Sequence, residues 1–300
     1  MPRTKPPEIA ALRDLSPRDT ERVSEKSPRA TRAEEARLIA AARKGDAAAM
    51  SRLLELAAGP AQRFSRGFCR DPHDSEDLAQ EVLVSLMRSL DSFRGESSLS
   101  TWTYIVARRA CARLRKRGSR FSALDELPAE AEPPAATSAE PPARHARKRL
   151  GEALERAIAA LPMAQREVLV LRDVEGLPAA EVGRVLGLGE RAVKSRLHRA
   201  RLTLRETLAP VVGIAAPPPG AQCPDTARML SRYIEGELDS GVCARLETHV
   251  AACPACGAAC ESLRSVLGAC REYGERAIPV DLRRSIRAAI RQVVRVRAKG

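Results

Sequence analysis

The sequence predicts an all-α chain: two small helical domains followed by a small helical Cys-rich domain. Three observations carry this. Apolar residues recur at three- and four-residue steps through two long blocks. Aromatic residues make up 3% of the 300, so the core must be built from Leu, Val, Ile and Ala, which favours short packed helices over a β-sandwich. Pro-rich stretches separate the blocks, and six of the eight cysteines fall beyond the second of these stretches.

Lys and Arg number 51 against 38 Asp and Glu, a formal net charge of +13. With 44% hydrophobic and 30% charged residues, the chain is too apolar to be disordered throughout and basic enough to seek a polyanion, either nucleic acid or an anionic membrane surface. Met1–Ala30 lacks the apolar core of a signal peptide. The longest uncharged run, Thr207–Pro224, carries Pro210, Pro217, Pro218, Pro219 and Pro224, which a spanning helix tolerates poorly. A soluble cytoplasmic protein is expected. In that reducing compartment its cysteines read as metal ligands, sensor thiols or packed hydrophobes rather than disulfides.

Residues 1–33 form a basic, Pro- and Ser-rich tail expected to be disordered. The first helical block, 34–117, steps through Leu38/Ile39/Ala42 and Leu53/Leu54/Ala57, with Gly45-Asp46, Gly59-Pro60 and Asp71-Pro72 as punctuation. Along Asp74–Leu90 one face is apolar (Leu78, Val82, Leu86, Leu90), while Asp74, Glu76, Asp77, Gln80 and Glu81 make the first turns acidic. Two readings stand, a helix well started on its dipole or a protein-docking face. Ser97–Arg120 contains Arg108, Arg109, Arg113, Arg115, Lys116, Arg117 and Arg120 with no acid, and opens on Trp102 and Tyr104. Cations beside rings suit single-stranded nucleic acid, and core packing of the two aromatics is the plainer reading.

Residues 118–148, with Pro128, Pro133, Pro134, Pro141 and Pro142 among Ala, Ser and Glu, read as a flexible linker. In the second block, 149–208, Leu177–Arg205 reads as helix, tight turn, helix. Pro178 suits the first turn, Ala180, Val182, Val185 and Leu186 face inward, and Gly187-Leu188-Gly189 allows the turn. The next helix turns Val193, Leu197, Ala200 and Leu204 inward and Arg191, Lys194, Ser195, Arg196, His198, Arg199 and Arg201 outward. Such a face fits the major groove of DNA, and a solvated basic face is the plain alternative. His198 has no paired carboxylate or Cys at helical spacing and reads as a surface or phosphate-contacting group.

Together these blocks resemble the extracytoplasmic-function group of sigma-70-type RNA polymerase sigma factors. Asp74-Ser-Glu-Asp-Leu-Ala-Gln-Glu81, Asp91-Ser-Phe-Arg-Gly-Glu96 and Ser100-Thr-Trp-Thr-Tyr104 look like region 2 of that group. Leu161-Pro-Met-Ala-Gln-Arg-Glu-Val168, Arg172-Asp-Val-Glu-Gly-Leu177 and Val193-Lys-Ser-Arg-Leu-His-Arg-Ala-Arg201 look like region 4. The resemblance covers residues 34–208. It implies that Asp77, Leu78, Gln80 and Glu81 meet core RNA polymerase. It further implies that Arg94, Ser100, Thr101, Trp102, Arg108, Arg109 and Arg113 melt and read minus-ten promoter DNA, while Arg191, Lys194, Ser195, Arg196 and Arg199 read the minus-thirty-five element. Many relatives carry Asn and Asp where this chain has Arg109 and Arg113.

After a Pro-rich tether, 209–220, comes the Cys-rich segment, 221–272. Cys223, His249, Cys253 and Cys256 form C-x25-H-x3-C-x2-C, with Ser231–Leu238 and Ala244–Val250 readable as short helices. His and Cys four apart share a helical face, and C-x2-C turns two thiolates to one point, so one tetrahedral Zn²⁺ site is expected. The pattern is similar to zinc-binding anti-sigma domains, here fused in cis. Cys243, Cys260 and Cys270 exceed one such site and are candidates for a second site, ligand exchange or sensing as thiolates. The resemblance to metal-responsive members implies copper, zinc or cadmium as signals, and contact between the tail and the sigma domains is expected. Residues 273–300 are basic, with Leu282, Ile286, Ala289, Ile290 and Val293 at helical spacing. They read as a membrane-surface helix or, preferably, as one that packs on the rest of the chain.

The sequence holds no Gly-rich phosphate loop and no Ser/His/Asp set, and four protein ligands close the metal site, so an enzyme is not expected. The main reading is a promoter-reading initiation factor with a regulatory tail. The alternative is a metal-responsive DNA-binding regulator that does not direct core polymerase.

Overall fold

The computed structural model describes residues 32–69, 72–93, 95, 97–116, 142–212, 223, 225–275, 284, 287 and 288. Among these residues the chain is helical without a strand, and it divides into two compact units. Residues 1–31, most of the linker and tether, most of the terminal segment and, within the first block, Arg94 lie outside the described residues.

One unit holds α1 (Arg32–Arg43), α2 (Ala47–Phe68), α3 (Pro72–Arg88), a 3-10 turn (Leu90–Ser92) and α4 (Leu99–Lys116). Gly45, at φ 90°, closes α1, and Asp46 then caps α2 by accepting the Ala48 and Ala49 N–H groups. The expected break at Gly59-Pro60 does not occur, since α2 runs straight through it. Gly59 has no Cβ to strike the proline ring, and buried Ala57, Ala58 and Ala61 hold the helix on its neighbours. Leu54, Phe64, Leu78, Leu86 and Tyr104 form the centre of this unit, with Tyr104 edge-on to Phe64 at 5.0 Å. From the terminal segment, Arg287 reaches Glu55 at 3.6 Å.

The other unit contains α5 (Pro142–Ala160), α6 (Met163–Leu169), a π-turn (Val170–Val174), α7 (Ala179–Leu186), α8 (Glu190–Val212), α9 (Thr226–Ile234), α10 (Ser240–Ala252) and α11 (Pro254–Glu275). α5 begins inside the stretch expected as linker, and α8 continues into the expected tether, with Pro210 in its last turn. The α7–turn–α8 pair has the expected helix-turn-helix form. Gly187 takes the left-handed conformation at φ 68°, and Gly183 is the second steric requirement, because a Cβ there would lie 2.6 Å from the Leu188 carbonyl oxygen. On α7 Val182 is buried as expected and Val185 and Leu186 are half-buried, but in the first turn Ala179 is buried and Ala180, expected inward, is exposed. Val193, Leu197, Ala200 and Leu204 of α8 are buried as expected.

Arg166 is 2% exposed and serves the end of α5 rather than solvent. Its guanidinium donates to the carbonyls of Ile158 (3.0 Å), Ala159 (2.6 Å) and Leu161 (2.5 Å) where the helix stops, the first of which also accepts the Leu161 N–H at 3.2 Å. Arg166→Ala removes all three of these bonds and leaves only the Leu161 N–H on the Ile158 carbonyl. It is expected to lower stability by about 2–4 kcal/mol, read from urea unfolding of the full chain by circular dichroism.

Candidate metal centre and basic helix faces

The four expected metal ligands converge because three helix ends meet. Cys223 precedes α9, which Asp225 caps by accepting the Arg228 N–H. His249 lies in the last turn of α10, Cys253 ends that helix with its N–H on the His249 carbonyl, and Cys256 lies in the first turn of α11. The four ligand atoms lie within 4.8 Å of one another. A tetrahedral ion with metal–sulfur bonds of about 2.3 Å separates two thiolates by roughly 3.8 Å. Cys223 Sγ and Cys253 Sγ stand 3.7 Å apart, and His249 Nε2 lies 3.1 Å from Cys256 Sγ. Donor chemistry and spacing therefore both fit Zn²⁺.

Thr226, which sequence reasoning missed, donates its hydroxyl to Cys256 Sγ at 3.0 Å, a bond that orients a ligand from outside the coordination shell. A Thr three residues after the first Cys was its only signal. The Cys256 N–H draws the Cys253 thiol below its ordinary pKa, whereas burial pushes Cys256 up to about 11. Of the surplus cysteines, Cys243 is half-buried beside the Leu238 carbonyl. Cys260 sits in the apolar cluster of Leu230, Ile234, Leu246, Leu263 and Leu267, and Cys270 is fully buried. Burial raises the pKa of all three thiols.

The Cys-rich segment packs on the basic helix. The first expected short helix, Ser231–Leu238, is instead α9, which stops at Ile234. Gly236, at φ 67°, then turns the chain so that Glu235 and Glu237 meet α8. Arg201, expected to face outward, is 2% exposed. It is buried because three groups satisfy it: Asp173 accepts two bonds at 2.7 and 2.8 Å, Glu235 accepts one at 2.8 Å, and Ser231 Oγ one at 3.3 Å. Burial opposes the Arg201 charge, but the carboxylates of Asp173 and Glu235 outweigh it and hold the guanidinium ionised. The π-turn supplies Asp173 and also Arg172, which donates to Glu235 at 3.2 Å. No periodicity could reveal this network, since its partners lie 28 to 63 residues apart.

Among the residues expected to read minus-thirty-five DNA, Arg191, Ser195 and Arg199 are exposed and Arg196 is half-buried. Lys194 is tied on both sides, to Glu190 at 2.9 Å and to Glu237 of the Cys-rich segment at 3.2 Å. Burial lowers its pKa, yet the two carboxylates outweigh this and hold its ammonium above the ordinary value. His198 is half-buried near Asp225 and Arg228, and its Nδ1 has no hydrogen-bond partner among the described residues. Burial lowers its pKa.

In the other unit Asp77 is exposed, Gln80 and Glu81 are half-buried, and Leu78 is fully buried in the bundle. Arg108 and Arg109 are exposed on α4. Arg113 reaches Glu81 at 3.7 Å and Ser85 Oγ at 3.3 Å. Ser100 is half-buried. Thr101 is buried, with its N–H on Ser98 Oγ, and Trp102 stacks on Phe93 at 4.4 Å. Of the two aromatics, Tyr104 therefore packs in the core and Trp102 lies at its edge, 8% exposed.

Family models for sigma-70 region 2 and sigma-70 region 4 match residues 53–121 and 151–204, and a zinc-finger family model matches residues 223–257. The ECF RNA polymerase sigma factor SigM of Mycobacterium tuberculosis (strain H37Rv) is 33% identical over 175 residues, covering 58% of this chain and 84% of that protein. SigE of Mycolicibacterium smegmatis, also an ECF sigma factor, is 33% identical over 168 residues, 55% of this chain and 65% of its own length. The sigma factor YlaC of Bacillus subtilis is 30% identical over 134 residues, 45% of this chain and 77% of that protein. Among the described residues no helix is long and apolar enough to cross a membrane.

Proposed function

We propose, since this chain belongs to the extracytoplasmic-function RNA polymerase sigma factors, that it binds core polymerase, directs transcription from a bipartite promoter and restrains its own promoter reading with a zinc-bound tail. The observation that carries the regulatory part is the pairing of Lys194 and Arg201 on the helix-turn-helix with Glu237 and Glu235 of the Cys-rich segment. Glu237 occupies Lys194, a cation that would otherwise meet phosphate or a base edge, while Glu235 anchors the segment beside it on Arg201, which Asp173 keeps buried in the helix-turn-helix.

In this reading Asp77, Gln80 and Glu81 form the polymerase-docking face, with buried Leu78 holding their helix in place. Arg94, Ser100, Thr101, Trp102, Arg108, Arg109 and Arg113 serve the minus-ten element. The exposed arginines of α4 supply phosphate contacts, and Trp102 reaches a base only by parting from Phe93. Arg191, Lys194, Ser195, Arg196 and Arg199 serve the minus-thirty-five element. The domains run 34–117, 149–208 and 221–272, and the protein works in the cytoplasm as an initiation factor rather than an enzyme. Bound Zn²⁺ supplies a structural cross-link among Cys223, His249, Cys253 and Cys256. These soft ligands also accept copper or cadmium, which we keep as candidate signals.

The test is the affinity of the full chain for core polymerase and for promoter fragments selected from a random duplex pool, measured without metal and with zinc, copper or cadmium. A chain ending near Pro210 is run beside it. Tight core binding by both, with promoter affinity that depends on metal only when the tail is present, is the expected result. Failure of both to bind core polymerase overturns the initiation reading in favour of a stand-alone DNA-binding regulator.

A further inference from the structure

α1 holds both ends of the loop that leads into α4. At the first end, the Arg43 guanidinium donates Nε–H to the Leu90 carbonyl at 3.1 Å and Nη2–H to the carbonyls of Asp91, at 3.5 Å, and Phe93. All three acceptors are backbone groups of this one loop. At the other end, Glu35 Oε2 accepts the N–H of Leu99, the first residue of α4, at 3.0 Å. Glu35 and Arg43 lie eight residues apart on one helix, a rise of roughly 12 Å, so a single rigid rod spans the loop.

Local bonds set the shape of each loop end, and buried Leu90, Phe93 and Leu99 seat the ends by apolar contact that fixes no backbone direction. Ser92 Oγ donates to the Ser89 carbonyl at 2.7 Å, and Ser98 Oγ accepts the Thr101 N–H at 3.1 Å. Phe93 and Trp102 stack across the loop, one on each side of it. The bundle core is made from apolar side chains of α1 to α4, Ile39 and Ala42 of α1 among them, and the Arg43 and Glu35 side chains are not part of it. Removing either side chain therefore takes away a polar tie on the loop backbone and leaves the apolar core residues in place.

We infer that Arg43 and Glu35 are positioning residues for promoter melting: they hold the backbone at Phe93 and at Leu99, and so keep Phe93 and Trp102 where Trp102 parts from its partner to meet a minus-ten base. The inference rests on the assignment of this loop and α4 to the minus-ten element. Arg43 acts through a planar fork that reaches several carbonyls at once, which a lysine ammonium does not reproduce. Glu35 acts as an acceptor at a helix N-terminus, a role that glutamine retains without the charge.

The experiment uses the full chain bound to core polymerase, with a single-stranded DNA pool carrying a randomised segment as probe. Wild type, Arg43→Ala, Arg43→Lys, Glu35→Ala and Glu35→Gln are compared for affinity to the strand that wild type selects, for core affinity and for salt dependence. The expected result is a loss of about tenfold or more for both Ala variants and an intermediate loss for Arg43→Lys. Glu35→Gln keeps most of the affinity, core affinity stays within about twofold, and the salt slope is unchanged because Arg108 and Arg109 still meet the backbone. Selection retained by every variant overturns the positioning role alone. A parallel fall in core affinity also overturns it, by revealing a general loss of the bundle. If wild type selects no sequence, the minus-ten assignment fails and the inference falls with it.

Discussion

Glu235→Gln in the full chain is expected to raise affinity for selected promoter duplexes by roughly thirtyfold, whereas Glu237→Gln raises it by about twofold. The difference follows from burial. The Glu235 side chain is 4% exposed and receives Arg201 at 2.8 Å and Arg172 at 3.2 Å. Removing one partner of a buried ion pair costs about 3–5 kcal/mol, because the other charge stays buried without it. Here the loss is smaller, since Arg201 keeps both bonds to Asp173 and Arg172 keeps the Leu177 carbonyl at 3.5 Å. A remainder of about 2 kcal/mol shifts the closed tail toward release by roughly thirtyfold, at about 1.4 kcal/mol per factor of ten.

Glu237 is 28% exposed, and its partner Lys194 keeps Glu190 at 2.9 Å when it is lost. A pair of this kind contributes about 0.2–1 kcal/mol, hence the small factor. Filter binding at fixed ionic strength measures both effects. Neither variant alters the metal ligands, so zinc content stays at the wild-type level. Equal promoter affinity for wild type, both variants and the chain ending near Pro210 would show that the tail does not mask the helix.

The parts of this molecule that were legible in the sequence are those governed by local periodicity or fixed spacing. The buried stripe Val193, Leu197, Ala200 and Leu204 steps at three and four residues, and C-x25-H-x3-C-x2-C brings its four ligands together as spacing predicts. Arg166 and Arg201 were not legible, because a cation on an amphipathic helix reads as solvent-facing until its acceptors are known. For Arg166 these acceptors are backbone carbonyls at a helix end, which no side-chain pattern marks. For Arg201 they come from a π-turn and from the Cys-rich segment. The helix through Gly59-Pro60 shows the opposite error, in which strong local punctuation yields to packing on both sides of the proline. Two parallel failures, Ala180 for Ala179 and an α9 shifted toward the N-terminus, arise because the true boundaries are set by Pro178 and the Asp225 cap.

Replacing any one of the four ligands, for example Cys253→Ser or His249→Ala, is expected to abolish binding of one zinc per chain, with metal analysis as the measurement, and to free the helix-turn-helix. The size of the effect comes from how little else holds this segment together. Its apolar cluster consists of Leu230, Ile234, Leu246, Cys260, Leu263 and Leu267, a small core for three helices. Structural zinc contributes about 10–16 kcal/mol of binding free energy at neutral pH, most of it realised as folding. Without it α9 loses its ties to Cys253 through Cys223 and to Cys256 through Thr226, and the turn that carries Glu235 and Glu237 loses its support. Promoter affinity then rises at least as far as in Glu235→Gln, because both carboxylates leave together. Cys243→Ser, Cys260→Ala and Cys270→Ala separate the ligands from the other thiols. Each keeps one zinc, and the two buried replacements lower stability by about 1 kcal/mol through lost packing. If Cys243→Ser also emptied the site, an exchange among four cysteines would replace the single tetrahedral set. If chelation removed zinc while α9–α11 stayed folded and promoter affinity did not move, the tail would be held by its core alone and the ion would not be part of the restraint.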